Sequence, residues 1–456
     1  MRLNSLLYCV FLTSACEFKA PAGLFDSVPG PEITSFSING IAGVISGNSI
    51  SLSLVATKWA PPTSVTNLVA SYVTNGKSVK VGGVSQISGA TSNNYTNPLL
   101  YAVTGVDDST RVYTVVVMAP QIFPFGDTGQ TLCSSGASAD LAMAACPNAT
   151  VGAVQDGDFV DIPTARSFSG PTQHGTYTSD YTTTDNVSGL VWKACSEGLS
   201  GPACATGIAG TYTLSPDTAT PACAALNSAN SGAGYAERTD WRLPTIDELK
   251  TLIKYSGASP AIDVANFPAT VANNYWSSSQ YIPTSTFAWY VGFTGSPSVY
   301  RLAKTNAYRV RCVSSPIFSY SPNLKDNGDG TVTVVGNNLI WQKCSRGQNN
   351  DSLCSGAATM ASWLTAQSYC QSLLLAGRTW RLPSMNELLS LAVRTTSSPA
   401  IQGDYFPATV AGNYWSSSTY VSVPSSGYQV AFDDGVSATG TKVSISGYVR
   451  CVATGP

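Results

Sequence analysis

The sequence predicts a mixed fold, in which an N-terminal β-sandwich precedes two α+β domains stapled by disulfides. Apolar and polar residues alternate in short segments after residue 32, as they do in strands buried on one face. Two later stretches share one pattern, which indicates a duplicated domain. The twelve cysteines include two near the N-terminus, which leaves ten for disulfides (12 − 2). The predicted divisions are a signal peptide 1–15, a tether 16–31, a β-sandwich 32–119, a loop-rich connector 120–155, and two repeats, 156–315 and 316–456.

The N-terminus predicts export and membrane anchoring. Met1-Arg2 is followed by an apolar run, Leu3 to Leu12, which is too short to span a bilayer and is typical of a signal peptide. The stretch Leu12-Thr13-Ser14-Ala15-Cys16 resembles the bacterial lipobox, which implies that Cys16 carries acyl chains and begins the mature protein. We therefore expect a lipoprotein of the outer membrane or cell surface. An ordinary signal peptide with a chance cysteine is the alternative.

The segment after the tether predicts the β-sandwich. Alternating runs such as Ile33–Ile38, Ser49–Val55 and Arg111–Val117 are separated by Gly, Asn and Pro turns. The segment lacks cysteine, so its core must hold without a disulfide. It resembles the bacterial Ig-like modules of surface proteins. We interpret it as a spacer, with a binding role as the alternative.

Composition argues against several classes of function. Charged residues make up 11% of the chain and the net charge is −2, so there is no electrostatic case for binding nucleic acid. The single histidine, His174, lies in a Gly/Thr-rich stretch and is expected to be a solvated loop residue. Because acid–base and zinc chemistry rely heavily on histidine, the sequence favours a protein that is not an enzyme and needs no cofactor or metal. Asp326–Gly330 breaks the spacing of a calcium loop and is expected to be a turn.

The duplication holds its register over long distances. Trp241-Arg242-Leu243-Pro244 returns as Trp380-Arg381-Leu382-Pro383, a displacement of 139 positions (380 − 241). Tyr275-Trp276-Ser277-Ser278-Ser279 returns with the same displacement at Tyr414–Ser418. Each repeat reads as a strand, a stapled loop, a helix, a second helix and a mainly antiparallel sheet. The second helices begin at Thr245 and Ser384 with a glutamate three residues later, so Glu248 and Glu387 are expected to close capping boxes rather than to act as catalytic acids.

The repeat also suggests how the cysteines pair. Cys195, Cys204, Cys223 and Cys312 correspond in order to Cys344, Cys354, Cys370 and Cys451. Four cysteines allow three connectivities. The preferred one staples a local loop in each repeat and ties its first helix to its last strand. The preferred pairs, with the connector pair first, are Cys133–Cys146, Cys195–Cys204, Cys223–Cys312, Cys344–Cys354 and Cys370–Cys451.

The ordered motifs of both repeats resemble a known domain family. Leu-Val-Trp-Lys-x-Cys, Trp-Arg-Leu-Pro-Thr-x-x-Glu-Leu, Tyr-Trp-Ser-Ser-Ser and Val-Arg-Cys-Val are similar to the C-terminal domain of the Legionella collagen-like adhesin, which is also abundant in spirochaete lipoproteins. The resemblance implies a C-type-lectin-like fold and, for the adhesin, attachment to sulfated glycosaminoglycans through a basic surface. This chain has no collagen-like region, and its repeats carry about as many acidic as basic side chains, so clustered Arg or Lys for sulfate is missing.

A more distant resemblance is to the formylglycine-generating family, through Arg-Leu-Pro-Thr-x-x-Glu. That activity implies a redox-active, copper-binding cysteine pair, whereas every cysteine here is better placed as a staple. The Glu-Pro-Asn and Gln-Pro-Asp loops of calcium-dependent lectins are also missing.

Three hypotheses about function follow. A surface adhesin would bind a glycan or a matrix protein, an envelope scaffold would hold a partner protein and no soluble ligand, and the third is an enzyme of the formylglycine-generating type. Trp289, Tyr290 and Tyr428 are the candidate sugar-binding aromatics, although Trp276 and Trp415 are expected to fill the core. The oligomeric state and the ligand stay open.

Overall fold

The computed structural model describes residues 30–53, 65–95, 98–118, 125–134, 143–146, 154–314, 324–335, 337 and 339–454. The predicted signal peptide, Cys16 and nearly all of the tether lie outside the described residues. The described residues form two compact units, of which the first lies within 30–52 and 65–117, and the second contains residue 53 and the described residues from 118 to 454. In the described part of the chain, no helix is long and apolar enough to cross a membrane.

The first unit is built from two antiparallel sheets. One has the strand order β2-β1-β5-β8 and the other has the order β3-β4-β10-β9-β6-β7. Aromatic rings fill the space between them, with Phe36 edge-on to Tyr101 at 5.4 Å between centroids. This architecture agrees with the predicted sandwich without cysteine. The strands are β1 Ile33–Ile38, β2 Ile41–Ala42, β3 Val44–Ser46, β4 Ser49–Ser53, β5 Leu68–Thr74, β6 Ser78–Val81, β7 Val84–Ser85, β8 Ser92–Asn93, β9 Leu99–Thr104 and β10 Thr110–Met118.

The second unit begins with the connector and the first repeat. A two-stranded β11-β12 sheet precedes a five-stranded sheet of order β13-β14-β15-β22-β18, a small β16-β17 pair and a three-stranded sheet β19-β20-β21. The elements are β11 Leu132–Ser134, β12 Met143–Ala145, β13 Phe168–Gln173, β14 Tyr181–Asp185, β15 Val191–Lys193, β16 Leu199–Ser200, β17 Thr206–Gly207, α1 Ala219–Ala224, β18 Trp241–Arg242, α2 Ile246–Lys250, β19 Asn274–Gln280, β20 Phe287–Gly292, β21 Ser298–Ala303 and β22 Val313–Ser314.

The second repeat follows the same plan. Its sheets have the orders β23-β24-β25-β29 and β26-β27-β28. The predicted turn at residues 326–330 joins β23 to β24. The elements are β23 Leu324–Asp326, β24 Thr331–Val334, β25 Leu339–Gln342, α3 Trp363–Gln371, α4 Met385–Ser390, β26 Asn413–Thr419, β27 Ser426–Ala431, β28 Val436–Thr441 and β29 Val452–Thr454.

Two predicted elements are shorter than the pattern suggested. The alternation of residues 308–313 predicts the final strand of the first repeat, but only Val313–Ser314 forms it. Before it, Arg309 exchanges main-chain hydrogen bonds with Asn274 and Trp276 of β19. This stretch is therefore paired with the three-stranded sheet and not with the neighbours of β22. The near-helical spacing of residues between Met360 and Leu374 predicts the first helix of the second repeat, but α3 excludes both of these residues. Both side chains are exposed because they lie beyond the two ends of α3.

The five predicted disulfides are confirmed. Each joins Cα atoms 5.1–5.5 Å apart, which is ordinary disulfide geometry. The long links join α1 to the segment before β22 and α3 to the segment before β29. Each long link therefore closes most of its repeat into one covalent loop.

The two repeats share one buried core. A single hydrophobic cluster contains Leu249, Trp289 and Val299 of the first repeat together with Leu388 and Val430 of the second. Burial of such side chains is the main favourable term in folding. The repeats are consequently two halves of one compact unit and not two independently packed domains.

Candidate binding surfaces on the tandem repeats

The Trp-Arg-Leu-Pro motif supplies a buried ion pair to each repeat. Arg381 donates two hydrogen bonds to Glu387, at 2.7 and 2.5 Å, and Arg242 donates two to Glu248, at 2.8 and 2.6 Å. Each glutamate also accepts from the main-chain N–H of its N-cap residue, which closes the capping box. The predicted capping role of Glu248 and Glu387 is confirmed, and both arginines bind carboxylates inside the fold.

A second buried arginine in each repeat explains the Val-Arg-Cys-Val motif. Arg450 lies over the ring of Phe406 at 4.7 Å and donates to Thr409 Oγ1 at 2.8 Å. Arg311 does the same with Phe267 and Thr270, at 4.9 and 2.6 Å. Burial lowers the pKa of Arg311 to about 10. The repeated Phe-Pro-Ala-Thr sequence pointed to a shared role, but its arginine partner lies too far along the chain to be read from the sequence.

Trp276 and Trp415 are core residues, as predicted. Both are fully buried. Their indole nitrogens donate to main-chain carbonyls, Trp276 to Tyr212 at 3.0 Å and Trp415 to Ala361 at 2.9 Å. A buried indole that has an internal acceptor stabilises the fold and is not available to a ligand.

The predicted sugar-stacking role is wrong for Trp289, and Tyr428 exposes too little of its ring to stack a sugar, although it borders the pocket described below. They occupy equivalent positions (428 − 289 = 139) and are 0% and 3% exposed. The Arg394 guanidinium lies over Trp289 at 5.1 Å, and the Tyr255 ring packs edge-on against Tyr428 at 5.0 Å. Arg394 and Tyr255 are themselves equivalent (394 − 255 = 139), so each repeat covers the aromatic residue of the other.

Tyr290 is also largely buried, at 8% exposure. Its ring packs against Trp276, Tyr300 and Tyr308, with centroids 5.4–6.4 Å away. A sugar ring has no free face of Tyr290 to stack on, so this candidate is wrong as well.

Charged side chains lock the repeats together. Asp247 accepts from Lys250 Nζ and from Arg394 Nη1, each at 2.6 Å, and Lys250 also donates to the carbonyl of Leu389. Burial lowers the pKa of Lys250 to about 8. Lys250 and Leu389 are equivalent positions (389 − 250 = 139), so the contact lies where the two repeats meet symmetrically. Sequence reasoning missed this interface, whose one signal was a lysine at a position where the second repeat has Leu389.

A hydroxyl-rich pocket opens at this interface. Its volume is about 210 Å³, and its lining contains no charged side chain. Residues of β28 and the loop before β21 face each other across it, with Tyr420 at one side. Such a lining can donate and accept hydrogen bonds with a neutral, polar group. The lining residues are Ser296, Pro297, Ser298, Tyr420, Tyr428, Ser437, Ala438 and Thr439.

A second cavity, of about 190 Å³, lies between residues 154–162 and the second repeat. Its walls are mainly apolar, with Phe159 and Ile162 on one side and Trp380 on the other. The Arg381 guanidinium stacks on Phe159 at 4.5 Å. This cavity suits a small apolar group rather than a sugar.

Among the described residues, neither His174 nor a cluster of two cysteines with an aspartate forms a metal site. His174 lies in a loop and accepts a hydrogen bond from the main-chain N–H of Tyr177. Its imidazole is partly covered rather than fully solvated, with 23% of the side chain exposed. Cys133, Cys146 and Asp158 cluster within 4.8 Å, but the two sulfurs form a disulfide and are not thiolate ligands.

Comparisons with known proteins identify the domain type. No curated protein matches the chain. A solved structure from Bacteroides thetaiotaomicron, named as a glycoside hydrolase, is 19% identical over 28% of this chain and 33% of its own, with a TM-score of 0.16. This chain therefore spans about a third of that protein, and the similarity supports no conclusion about fold or activity.

The sequence profile described as the Lcl C-terminal domain matches residues 181–314 and again residues 330–453. The two matches cover more than half of the 456 residues. They coincide with the two predicted repeats and confirm the resemblance drawn from their motifs. A surface or adhesin-like protein is what this domain indicates. The chain belongs to the Lcl C-terminal domain family and carries two copies of that domain in tandem.

Proposed function

We propose that this chain is a non-enzymatic surface lipoprotein, anchored through Cys16, that binds a neutral glycan or a glycosylated matrix protein. The first unit acts as an Ig-like spacer, and the paired lectin-like repeats carry the ligand. Family membership supports the surface role. The ligand class is argued from the pocket between the repeats.

The uncharged pocket is the observation that carries the ligand class. Three serines, a threonine and two tyrosines line it, and Tyr420 is the tyrosine with the more exposed ring. Neutral sugars present hydroxyl groups and an apolar ring face, which match such a lining. Sulfated sugars need clustered Arg or Lys, and none lines the pocket. The volume is below the ~300–1,000 Å³ of sites for drug-sized ligands, so one sugar unit of a longer glycan would enter.

The disulfides argue against the formylglycine-generating alternative. Formylglycine-generating chemistry, as implied by that distant resemblance, needs a reactive cysteine pair. All ten cysteines after residue 16 are joined in disulfides. A cysteine sulfur that is already in a disulfide has no thiolate form, so it cannot act as a nucleophile or bind copper as a thiolate.

The test is an array of neutral glycans, sulfated glycans and matrix proteins, probed with the full chain. The same sample is assayed for free thiols. We expect saturable binding to neutral glycans, no preference for sulfated ones and no free thiol after residue 16. Binding confined to sulfated glycans would contradict the neutral-ligand assignment, and a reactive thiol pair would reopen the enzyme.

A different observation favours the envelope scaffold as the second candidate. The outer end of β19 is uncovered, whereas the same surface on the second repeat is filled by another part of the chain. A scaffold predicts a silent array and a stable partner protein that co-purifies from the same membrane after mild crosslinking.

A further inference from the structure

The Tyr-Trp-Ser-Ser-Ser motif and the residue after it have different environments in the two repeats. In β26 the residues Ser417, Ser418 and Thr419 are all buried. In β19 the equivalent residues are Ser278, Ser279 and Gln280, of which the first and last are exposed and Ser279 is half-buried. The sequences Tyr-Trp-Ser-Ser-Ser are identical, so the difference comes from what lies on top of each strand.

The connector covers the strand of the second repeat. Thr419 donates its main-chain N–H to Gln130 Oε1 at 2.9 Å, and Gln130 Nε2 donates to the carbonyl of Thr419 at 2.8 Å. One carboxamide therefore pairs with both main-chain groups of Thr419, as a neighbouring strand would. The hydroxyl of Ser418 donates to the carboxylate of Asp156, which is buried beside it.

Charge also contributes to the covered surface. Lys442 Nζ donates to Ser134 Oγ at 2.8 Å and to Thr419 Oγ1 at 2.7 Å. The Arg381–Glu387 pair lies close enough to Asp156 to act on its charge. The second repeat thus receives a carboxamide and a hydroxyl from the connector and a carboxylate from Asp156, the residue that follows it.

The first repeat presents the same groups without that cover. Ser279 Oγ accepts from the main-chain N–H of Ile246 at 3.0 Å, as Ser418 does from Met385, but in the described part of the chain no carboxylate accepts its hydroxyl proton. Lys304 stands where Lys442 stands, one residue beyond the β21 residue paired with Phe287. Its ammonium lies 3.4 Å from the exposed Gln280 Oε1.

We propose that this open face, formed by Ser278, Ser279, Gln280 and Lys304, docks an extended acidic segment of a partner protein. The segment supplies a carboxylate to Ser279 and an amide group to the main chain of Gln280, as Asp156 and Gln130 do on the second repeat, and its negative charge lies beside Lys304. The cationic Lys304 favours an acidic segment, and Arg242 nearby keeps 17% of its side chain exposed, against 7% for Arg381. A second copy of this chain is a poorer occupant because its connector already pairs with its own second repeat.

The probe is a synthetic peptide of residues 125–160, oxidised to form Cys133–Cys146 and labelled for fluorescence anisotropy. It is titrated into the full chain and into two surface variants, Lys304→Glu and Gln280→Ala. The matched control is Ser285→Ala, which changes an exposed serine in the turn after β19. A peptide carrying Asp156→Asn tests the carboxylate.

We expect saturable binding that is at least tenfold weaker for Lys304→Glu and for the peptide carrying Asp156→Asn, and unchanged for Ser285→Ala. Thermal melting of each variant checks that the fold is intact. Absence of binding up to the solubility limit of the peptide would overturn the proposal. So would binding that ignores both variants, since the peptide would then be exchanging with the connector on the second repeat. Concentration-dependent dimerisation lost in Lys304→Glu would overturn the partner-protein assignment and give the face to a second copy instead.

Discussion

The residues that the two repeats share most strictly are used inside the fold. Arg381 and Glu387 form a bidentate pair with almost no exposure, whereas Arg242 keeps partial contact with solvent in the equivalent pair. Removing one partner of a buried pair leaves an uncompensated charge, which costs more than removing one partner of an exposed pair. The two copies therefore provide a matched comparison within one molecule.

We predict that Glu387→Gln lowers the free energy of unfolding by about 3–5 kcal/mol, the range for a broken buried pair. Glu248→Gln should cost clearly less, because water can reach the Arg242 guanidinium. Glutamine keeps the capping hydrogen bond, so the difference reports the charge. Urea unfolding of both variants measures it, and equal losses would contradict the role given to burial.

Asp156 should make stability depend on pH. Burial raises its pKa from 3.8 to about 7, despite hydrogen bonds from the Ser418 and Thr128 hydroxyls. The folded state then holds a proton that the unfolded chain releases near pH 4, so stability should fall as the pH rises from about 4 to about 7. Asp156→Asn should remove the dependence of the melting temperature on pH over that window. The control, Asp161→Asn, changes an exposed residue and should leave that dependence in place. An unchanged slope in Asp156→Asn would refute this.

Lys442 should act in the opposite direction. Burial lowers its pKa from 10.5 to about 7, and its ammonium lies over the Trp363 ring. The unfolded chain binds this proton more tightly, so stability should fall as the pH drops from about 10.5 to about 7. Lys442→Met should remove that alkaline dependence in thermal melts between about pH 7 and about pH 10. A melt profile identical to the unchanged chain would show that Lys442 is not the group responsible.

At the scale of elements, local signals in the sequence were reliable and remote ones were not. The capping boxes of α2 and α4, the alternating strands and the disulfide pairs all depend on short spacings or on the register between repeats. The last strand of the first repeat was overestimated because its neighbours, and not its own alternation, decide where pairing stops. Trp289 was misjudged because the residue that covers it comes from the other repeat.

The disulfides should differ in their contribution to stability according to loop length. Cys370–Cys451 closes a separation of 81 residues and Cys344–Cys354 closes one of 10. The chain-entropy relation gives about 4.5 and about 2.7 kcal/mol for these separations. Replacing each pair by alanine and measuring unfolding by urea should therefore show the larger loss for the long link. The reverse order would indicate that native-state packing, and not loop closure, dominates.

At the scale of the whole molecule, the repeats depend on each other. Each covers an aromatic residue of the other, and buried charges cross between them. Periodicity gave the domain type and copy number but gave no sign that the copies pack face to face. The apolar face of each repeat becomes part of a core only when the other repeat packs against it. The sequence of one chain does not show how the two repeats are placed.

We predict that neither repeat is stable alone. A chain of residues 156–315 would expose Trp289 and the apolar side chains around it, so it should bind the dye ANS and show red-shifted tryptophan fluorescence. The tandem chain 118–456, which keeps nearly the whole second unit, is the control and should do neither. A cooperative melt of the isolated repeat at the temperature of the tandem chain would contradict the shared core.

The most direct test of the account is a calorimetric titration of the neutral glycan selected on the array into the unchanged full chain and three variants of it. Thr439 lines the pocket between the repeats, whereas Thr441 lies two residues along the same strand, is also exposed and is not part of the lining. We predict that Tyr420→Ala weakens binding about tenfold, or about 1.4 kcal/mol, with a smaller loss for Thr439→Ala and none for Thr441→Ala. Equal affinities in all three variants and the unchanged chain would show that the glycan binds elsewhere and that the pocket is not the site.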